Sequence, residues 1–187
     1  MDSATNILII MGSPRPHGNT EKLCEAFMQG AAEKGKQCSL FRVSEKEIHF
    51  CTGCGWCKAH KGKCIQRDDI DALYFLFEQA DGIVFASPLY FYTISAQLKT
   101  VIDRLYAMGT VSGFSYPPKS TCLIITAGEE GDEIFENALG LYDRMLKKCF
   151  AAWSDRGRLC VGGCSPSQVM PDNHPALIVA RNMGRNF

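Results

Sequence analysis

Short apolar runs alternate with amphipathic segments along most of this sequence. Residues 6–11 are NILIIM, a continuous apolar run that ends at Gly12, as expected of a strand buried on both faces. Residues 20–34 follow with apolar side chains at helical spacing. The same alternation predicts further strands at 36–43, 82–86, 120–127 and 158–161, and helices at 68–79, 94–108 and 132–151. This order of elements is typical of a parallel sheet with helices on both sides.

The length and charge of the chain exclude several classes of function. The 187 residues fit a single domain over 1–187, and 20 Lys and Arg balance 20 Asp and Glu. The net charge is zero, so it does not attract the protein to nucleic acid or to an anionic membrane. No apolar run is long enough to cross a bilayer, and MDSATNILIIMG lacks the features of a secretory signal. We therefore expect a cytoplasmic protein with neither a nucleic-acid nor a membrane partner.

A loop rich in small and polar residues, GSPRPHGNT at 12–20, joins the first predicted strand to the first helix. In open α/β sheets ligands bind beyond the carboxyl ends of the strands, where a helix N-terminus attracts phosphate. Ser13, Asn19 and Thr20 can add hydrogen bonds there, and Arg15 can add charge. The loop matches neither the Gly-Lys-Ser/Thr triphosphatase pattern nor the GxGxxG fingerprint. It favours a phosphate site, with an ordinary turn capped by Asn19 or Thr20 as the alternative.

Two later loops follow strands at the same edge of the predicted sheet. The first, ASPLYFYTISAQLKTVIDR at 86–104, brings Tyr90, Phe91 and Tyr92 to the rim. Aromatic and apolar walls suit a flat cofactor, although the three rings can instead cover the sheet end or a subunit contact. The second, TAGEEGDE at 126–133, has small residues that let a ligand approach the backbone or that merely shape a turn.

Together the three loops resemble those of the flavodoxin-like NAD(P)H-dependent FMN reductases, and the similarity runs along nearly the whole chain. The resemblance implies an α/β fold, a flavodoxin-like three-layer sandwich with a five-stranded parallel sheet in the order 2-1-3-4-5. It also implies FMN as cofactor, NAD(P)H as co-substrate, and a homodimer or homotetramer with the flavin at a subunit contact. Residues 162–187 form an irregular tail, in which His174-Pro175 is a suitable helix start.

The resemblance also assigns FMN-binding residues by position. The residues that match those at the phosphate are Ser13, Arg15, Asn19 and Thr20. Those that match the residues at the flavin ring are Pro88, Leu89, Tyr90 and Phe91. Those at the far edge of the ring are Thr126, Ala127 and Gly128. Asp103 and Arg104 match a recurrent pair of the family, which is either an ion pair at a helix end or a cofactor contact.

Four of the ten cysteines form a tight cluster in the long connection at 44–67. Cys51, Cys54 and Cys57 are separated by two residues each, and Cys64 follows after six more. Such a run can hold a [4Fe-4S] cluster, whereas zinc usually joins two separated pairs of ligands. Free thiols or a disulfide pair are the remaining alternative. The run resembles that of the iron–sulfur flavoprotein branch of the same family.

Two classes of function fit these features. The first is an FMN-dependent oxidoreductase that takes electrons from NAD(P)H or a ferredoxin and passes them to a quinone, a flavin or another acceptor. The cofactor would supply the chemistry, so we assign no catalytic side chain. The second is a non-enzymatic flavin and iron–sulfur electron carrier or a thiol redox sensor. The neutral net charge weighs against a flavodoxin-type shuttle, and a metal-binding adaptor without cofactor is a third, weaker interpretation.

Overall fold

A twisted sheet of five parallel strands forms the centre of the computed structural model, which describes residues 5–114, 116–165 and 167–187. Residues 1–4, 115 and 166 of the predicted domain lie outside that description. The strands are β1 (Asn6–Met11), β2 (Gln37–Arg42), β3 (Gly82–Tyr90), the two-residue β4 (Thr93–Ile94), β5 (Ser120–Thr126) and β6 (Ser154–Val161). The parallel strands lie in the order β2-β1-β3-β5-β6, and β4 pairs antiparallel with β3. Counting parallel strands only, this confirms the predicted order 2-1-3-4-5.

Helices cover both faces of the sheet. They are α1 (Asn19–Ala32), α2 (Trp56–Ala59), α3 (Ile70–Gln79), α4 (Ala96–Arg104), α5 (Tyr106–Ser112), α6 (Glu136–Lys148) and α7 (Pro175–Asn186). Successive residues of β1 point to opposite faces, so Ile7 and Ile9 pack toward α1 and α7, whereas Leu8 and Ile10 pack toward α3, α4 and α6. The predicted three-layer α/β sandwich is confirmed. None of the helices in the described ranges is long and apolar enough to span a membrane.

The helix predicted over 94–108 is two helices, because the chain turns at Leu105 between α4 and α5. Two tyrosine hydroxyls donate hydrogen bonds to backbone carbonyls at this break. Tyr74 donates to the carbonyl of Arg104 at 2.7 Å, and Tyr116 donates to that of Leu105 at 3.0 Å. Both tyrosines lie far from the break in sequence, so the helical period alone could not predict it. The helix predicted at 132–151 likewise begins later, since Glu133–Phe135 forms a 3-10 turn before α6.

The second half of the tail is the regular helix α7, not an irregular segment. His174 caps it by accepting a hydrogen bond from the backbone N–H of Ala176, with Pro175 in the first turn. Helix α7 packs very closely against α1 through two glycines: a Cβ on Gly30 would overlap the backbone of Arg181, and one on Gly184 would overlap the carbonyl of Phe27. Helix α7 therefore supports α1, the helix that begins after the 12–20 loop.

Candidate functional site

A cleft of about 180 Å³ opens at the carboxyl ends of β1, β3 and β5. It is lined by ten of the eleven residues predicted to bind FMN, all except Phe91, and additionally by Gly18 and Cys164. The three loops singled out in the sequence therefore meet at one place, as expected for the edge of a parallel sheet. The sequence offered no reason to include Cys164, which reaches the cleft because its backbone N–H bonds to the carbonyl of Ala127 at 2.7 Å.

The N-terminus of α1 lies at this cleft without a side-chain cap. Gly18 is the N-cap residue, in place of the predicted Asn19 or Thr20, and it has no side chain with which to cap. The first amides of a helix have no acceptor within the helix, so these N–H groups are available to a ligand. Buried Ser13 begins a turn in which its hydroxyl accepts from the backbone N–H of Arg15 at 3.3 Å. Exposed Arg15 lines the same cleft.

Asn19 and Thr20 hold the cleft together through their side chains. The Asn19 amide donates to the carbonyls of Ser165 and Gln168 at 3.3 and 3.2 Å, and its oxygen accepts from the N–H of Met170 at 2.6 Å. The Asn19 side chain is thus bound to the segment before α7, and only its backbone is free for a phosphate. The hydroxyl of buried Thr20 lies 2.7 Å from that of Thr126, which joins the first loop to the third.

An ion pair between buried Glu21 and half-buried Arg42 fixes the shape of the 12–20 loop. Glu21 is 1% exposed, forms a salt bridge with Arg42 at the end of β2, and accepts a hydrogen bond from the backbone N–H of His17 at 2.6 Å. His17 has a φ of 56°, a left-handed conformation that costs energy for a residue other than glycine. Burial acts to raise the pKa of Glu21, but Arg42 and the His17 amide outweigh burial and lower it. The carboxylate therefore stays ionised and stabilises the strained turn.

Ser95 joins the second loop to the first, and Ser87 holds Ser95 in place. The Ser95 hydroxyl caps α4 by accepting from the N–H of Leu98, and it donates to the carbonyl of Gly12 at 2.7 Å. The Ser87 hydroxyl accepts from the N–H of Ser95 at 2.9 Å. A Cβ on Gly12 would lie 2.6 Å from the Ser95 hydroxyl oxygen, so only glycine permits this close approach.

Phe91 and Tyr92 form the tip of the β3–β4 hairpin. Their φ angles are 47° and 61°, and Phe91 is 99% exposed and does not line the cleft. Tyr90 is half-buried at the cleft wall. Phe91, which was predicted to contact the flavin ring, therefore does not line the cleft. The left-handed turn directs its side chain to solvent.

A larger cavity, of about 610 Å³, lies beside the connection at 44–67, called the cysteine loop below. All four cysteines of the predicted metal site line it, together with the C-terminal ends of α4 and α6 and parts of α5. Cys51 and Cys54 are exposed, and Cys57 and Cys64 are half-buried. The backbone N–H of Trp56 and the hydroxyl of Thr52 lower the pKa of the Cys54 thiol. Four thiols around one cavity are the donor set of a [4Fe-4S] cluster. As the described residues lie, no three potential ligands converge closely enough for a metal ion.

The recurrent Asp103 and Arg104 do not pair with each other. Exposed Asp103 accepts from Lys99 at 2.6 Å, whereas Arg104 forms a buried ion pair with Asp68 at 2.9 Å. Asp68 also accepts from the backbone N–H groups of His49 and Ile70. Burial acts to raise the pKa of Asp68, but these bonds outweigh burial and lower the pKa to about 2.

Known proteins are similar to part of this chain in sequence. An iron–sulfur flavoprotein from Archaeoglobus fulgidus is 44% identical over 100 residues, which cover 54% of this chain and 45% of that protein. One from Methanocaldococcus jannaschii is 42% identical over 98 residues, covering 52% and 50%. The chain thus spans about half the length of these relatives.

Solved structures agree in fold at lower sequence identity. An azoreductase from Bacillus anthracis has a TM-score of 0.72 at 23% identity, covering 98% of this chain and 100% of that one. An NAD(P)H:quinone oxidoreductase from Methanothermobacter marburgensis has a TM-score of 0.71 at 17% identity, covering 98% and 97%. The sequence model of the family described as NADPH-dependent FMN reductase matches residues 5–136 of this chain. The chain belongs to the NADPH-dependent FMN reductase family.

Proposed function

We propose that this chain binds FMN in the cleft and passes electrons from NADH or NADPH to a small-molecule acceptor such as a quinone or a second flavin. A ferredoxin is the alternative donor. One observation carries the proposal: the uncapped N-terminus of α1 opens on a cleft built by all three loops that follow β1, β3 and β5. Family membership and the fold shared with oxidoreductases support the same assignment.

Each side of the cleft has a part in holding FMN. The amides at the start of α1, with Ser13 and Arg15, would bind the phosphate. Pro88, Leu89 and Tyr90 would flank the ring, and the backbone at 126–128 would lie at its far edge. The cleft of about 180 Å³ is smaller than the ~300–1,000 Å³ of sites that enclose a small molecule. We therefore expect part of the ring to stay accessible to a nicotinamide or an acceptor.

FMN, when bound, supplies both hydride and single-electron chemistry. The residues of the chain bind and orient it, and Glu21 with Arg42 keeps the phosphate loop in its conformation. An open cleft also suits the predicted homodimer or homotetramer, in which a second copy would add a wall beside the ring and leave room for the nicotinamide or acceptor. Light scattering of the FMN-loaded protein tests that assembly, and a monomer would contradict it.

We also propose that Cys51, Cys54, Cys57 and Cys64 bind a [4Fe-4S] cluster. The four thiols line one cavity, Gly53 and Gly55 have the left-handed φ angles that let the segment bend, and no heavy atom lies within 4 Å of a Cβ built on either glycine. The segment can therefore close around a cluster. Iron, sulfide and zinc analysis after anoxic purification tests this: about four irons and four sulfides per chain support the cluster, and zinc or metal-free thiols contradict it.

The electron-transfer proposal is tested by anoxic titration of the FMN-loaded protein with NADH and with NADPH. We expect rapid loss of the oxidised flavin absorbance with at least one of them. A protein that binds FMN but is bleached by neither nucleotide would favour a ferredoxin as donor or a non-enzymatic carrier. A protein that cannot bind FMN would refute the assignment.

A matched pair of variants tests the location of the phosphate. Arg15→Gln removes a charge at the cleft, and Arg144→Gln removes one from the exposed face of α6. Because a hydrogen bond to a charged group contributes roughly 1.5 kcal/mol or more, Arg15→Gln should raise the Kd for FMN about tenfold. The Arg144 variant should leave it unchanged. Equal effects of the two variants would place the phosphate elsewhere.

A further inference from the structure

A buried arginine with an incomplete set of partners lies at the cysteine cavity. Arg104 is 2% exposed and is the largest of the fully buried side chains. Burying a charge is costly unless it is paired and hydrogen-bonded. Asp68 compensates most of this cost, because its carboxylate accepts hydrogen bonds from Nη1 of Arg104 at 2.9 Å and from Nη2 at 3.2 Å. The carbonyl of His49 accepts a further bond from Nη1 at 2.7 Å.

These contacts connect α4 to both ends of the cysteine loop. His49 precedes Cys51 by two residues, and Asp68 follows Cys64 by four. The Asp68 carboxylate also accepts from the N–H of His49, so the carboxylate and the guanidinium together bind both backbone groups of that residue. The exposed middle of the loop is thereby held at two fixed points, between which the four thiols lie.

The Nε–H of Arg104 remains without a partner. It is one of two buried side-chain polar atoms without a hydrogen bond in the described part of the chain, the other being Nε1 of Trp153. A guanidinium has five N–H donors, and a buried donor without an acceptor is strongly unfavourable. An unpaired donor on a side chain that lines a cavity indicates an acceptor that is brought to it by a bound group or by the loop that closes around that group.

The cysteine cavity is where that acceptor would lie. Arg104 lines it together with all four cysteines of the loop. Burial lowers the pKa of Arg104, but the hydrogen bonds to Asp68 outweigh burial and raise it, so the guanidinium stays charged. The potential acceptors that share this cavity wall with Arg104 include the sulfurs of the four cysteines.

Resting on the proposed cluster, we propose that Arg104 is a positioning residue of the iron–sulfur site: it fixes both ends of the loop, and its Nε–H donates a hydrogen bond to a sulfur of the cluster or of Cys64. Hydrogen bonds to the sulfurs stabilise the more negative reduced state and so raise the reduction potential. The residue acts on the cluster through charge and hydrogen bonding, and no step of the reaction requires it to gain or lose a proton.

The test compares cluster potentials in the FMN-loaded, anoxically reconstituted protein. Arg104→Lys keeps the positive charge but loses the Nε–H and the two-point contact with Asp68. We expect this variant to have a more negative cluster midpoint potential and to lose iron to a chelator faster. The FMN potential should not change. Arg144→Lys, on the outer face of α6, is the control and should match the wild type in every measurement.

A second measurement does not depend on how well a variant folds. In wild-type protein labelled with 15N-arginine, pulsed EPR of the reduced cluster should detect a 15N coupling from the guanidinium. An unchanged potential in Arg104→Lys, or no 15N coupling in the wild type, would overturn the role of Arg104 while leaving the cluster in place. Wild-type protein without iron after reconstitution would instead refute the proposed cluster, and the Arg104 proposal with it.

Discussion

The close contact of α1 with α7 makes Gly30 unusually sensitive to substitution. A Cβ at this position would overlap the backbone carbonyl of Arg181, which cannot move as a side chain does. Gly30→Ala therefore forces the two helices apart. Overpacking of this kind costs about 1–3 kcal/mol, and the better helix propensity of alanine returns roughly 1 kcal/mol. Because the overlap is with backbone, we expect the upper end of this cost and a net loss of about 2 kcal/mol in the free energy of unfolding.

Gly140 in α6 is the matched control, because no heavy atom lies within 4 Å of a Cβ built on it. Gly140→Ala gains the propensity of alanine without a clash and should stabilise the protein by about 0.5–1 kcal/mol. For a domain of this size, 1 kcal/mol shifts Tm by roughly 2–4 °C. Differential scanning calorimetry at equal FMN saturation should thus show a lower Tm for Gly30→Ala and a higher Tm for Gly140→Ala. Equal shifts in one direction would refute the close packing of α1 on α7.

Three further predictions concern single hydrogen bonds and charges. The pKa of Asp68 falls from an ordinary value of 3.8 to about 2, so its ion pair should contribute about 2 kcal/mol above pH 4 that is lost as the pH falls through 2. Denaturant unfolding at a series of pH values should show this loss, and Asp68→Asn should abolish it. Thr20→Val removes the hydrogen bond to Thr126 and should lower the free energy of unfolding, measured by urea denaturation, by about 1 kcal/mol. Ser95→Ala removes the cap of α4 and should lower the unfolding free energy by about 1 kcal/mol in the same assay, whereas a value equal to wild type would contradict the capping geometry.

The sequence was sufficient to predict the sheet and the meeting of the three loops, because both follow from local pattern and parallel topology. The apolar run of β1 has the predicted bounds, and the loops that follow β1, β3 and β5 line one cleft. A break or a cap that depends on distant partners could not be predicted. The end of α4 depends on Tyr74 and Tyr116, which lie outside the predicted helix.

The charged pairs that shape both sites escaped prediction for the same reason. Glu21 and Arg42 are 21 residues apart, and Asp68 and Arg104 are 36 apart, so neither pair has a local signature. The recurrent Asp103-Arg104 motif suggested a pair between neighbours. In the structure, neighbouring residues of α4 point in different directions, so Asp103 meets Lys99 at the surface and Arg104 meets Asp68 inside.

The most direct test of the phosphate site compares the Kd of FMN with that of riboflavin, which has the same ring but no phosphate. If the free amides of α1 hold the phosphate, two charge-assisted hydrogen bonds of roughly 1.5 kcal/mol each make FMN bind about 100-fold more tightly. Quenching of flavin fluorescence measures both constants in one buffer. A clear preference for FMN is the predicted result, and equal affinity for the two flavins would contradict a phosphate site at the start of α1.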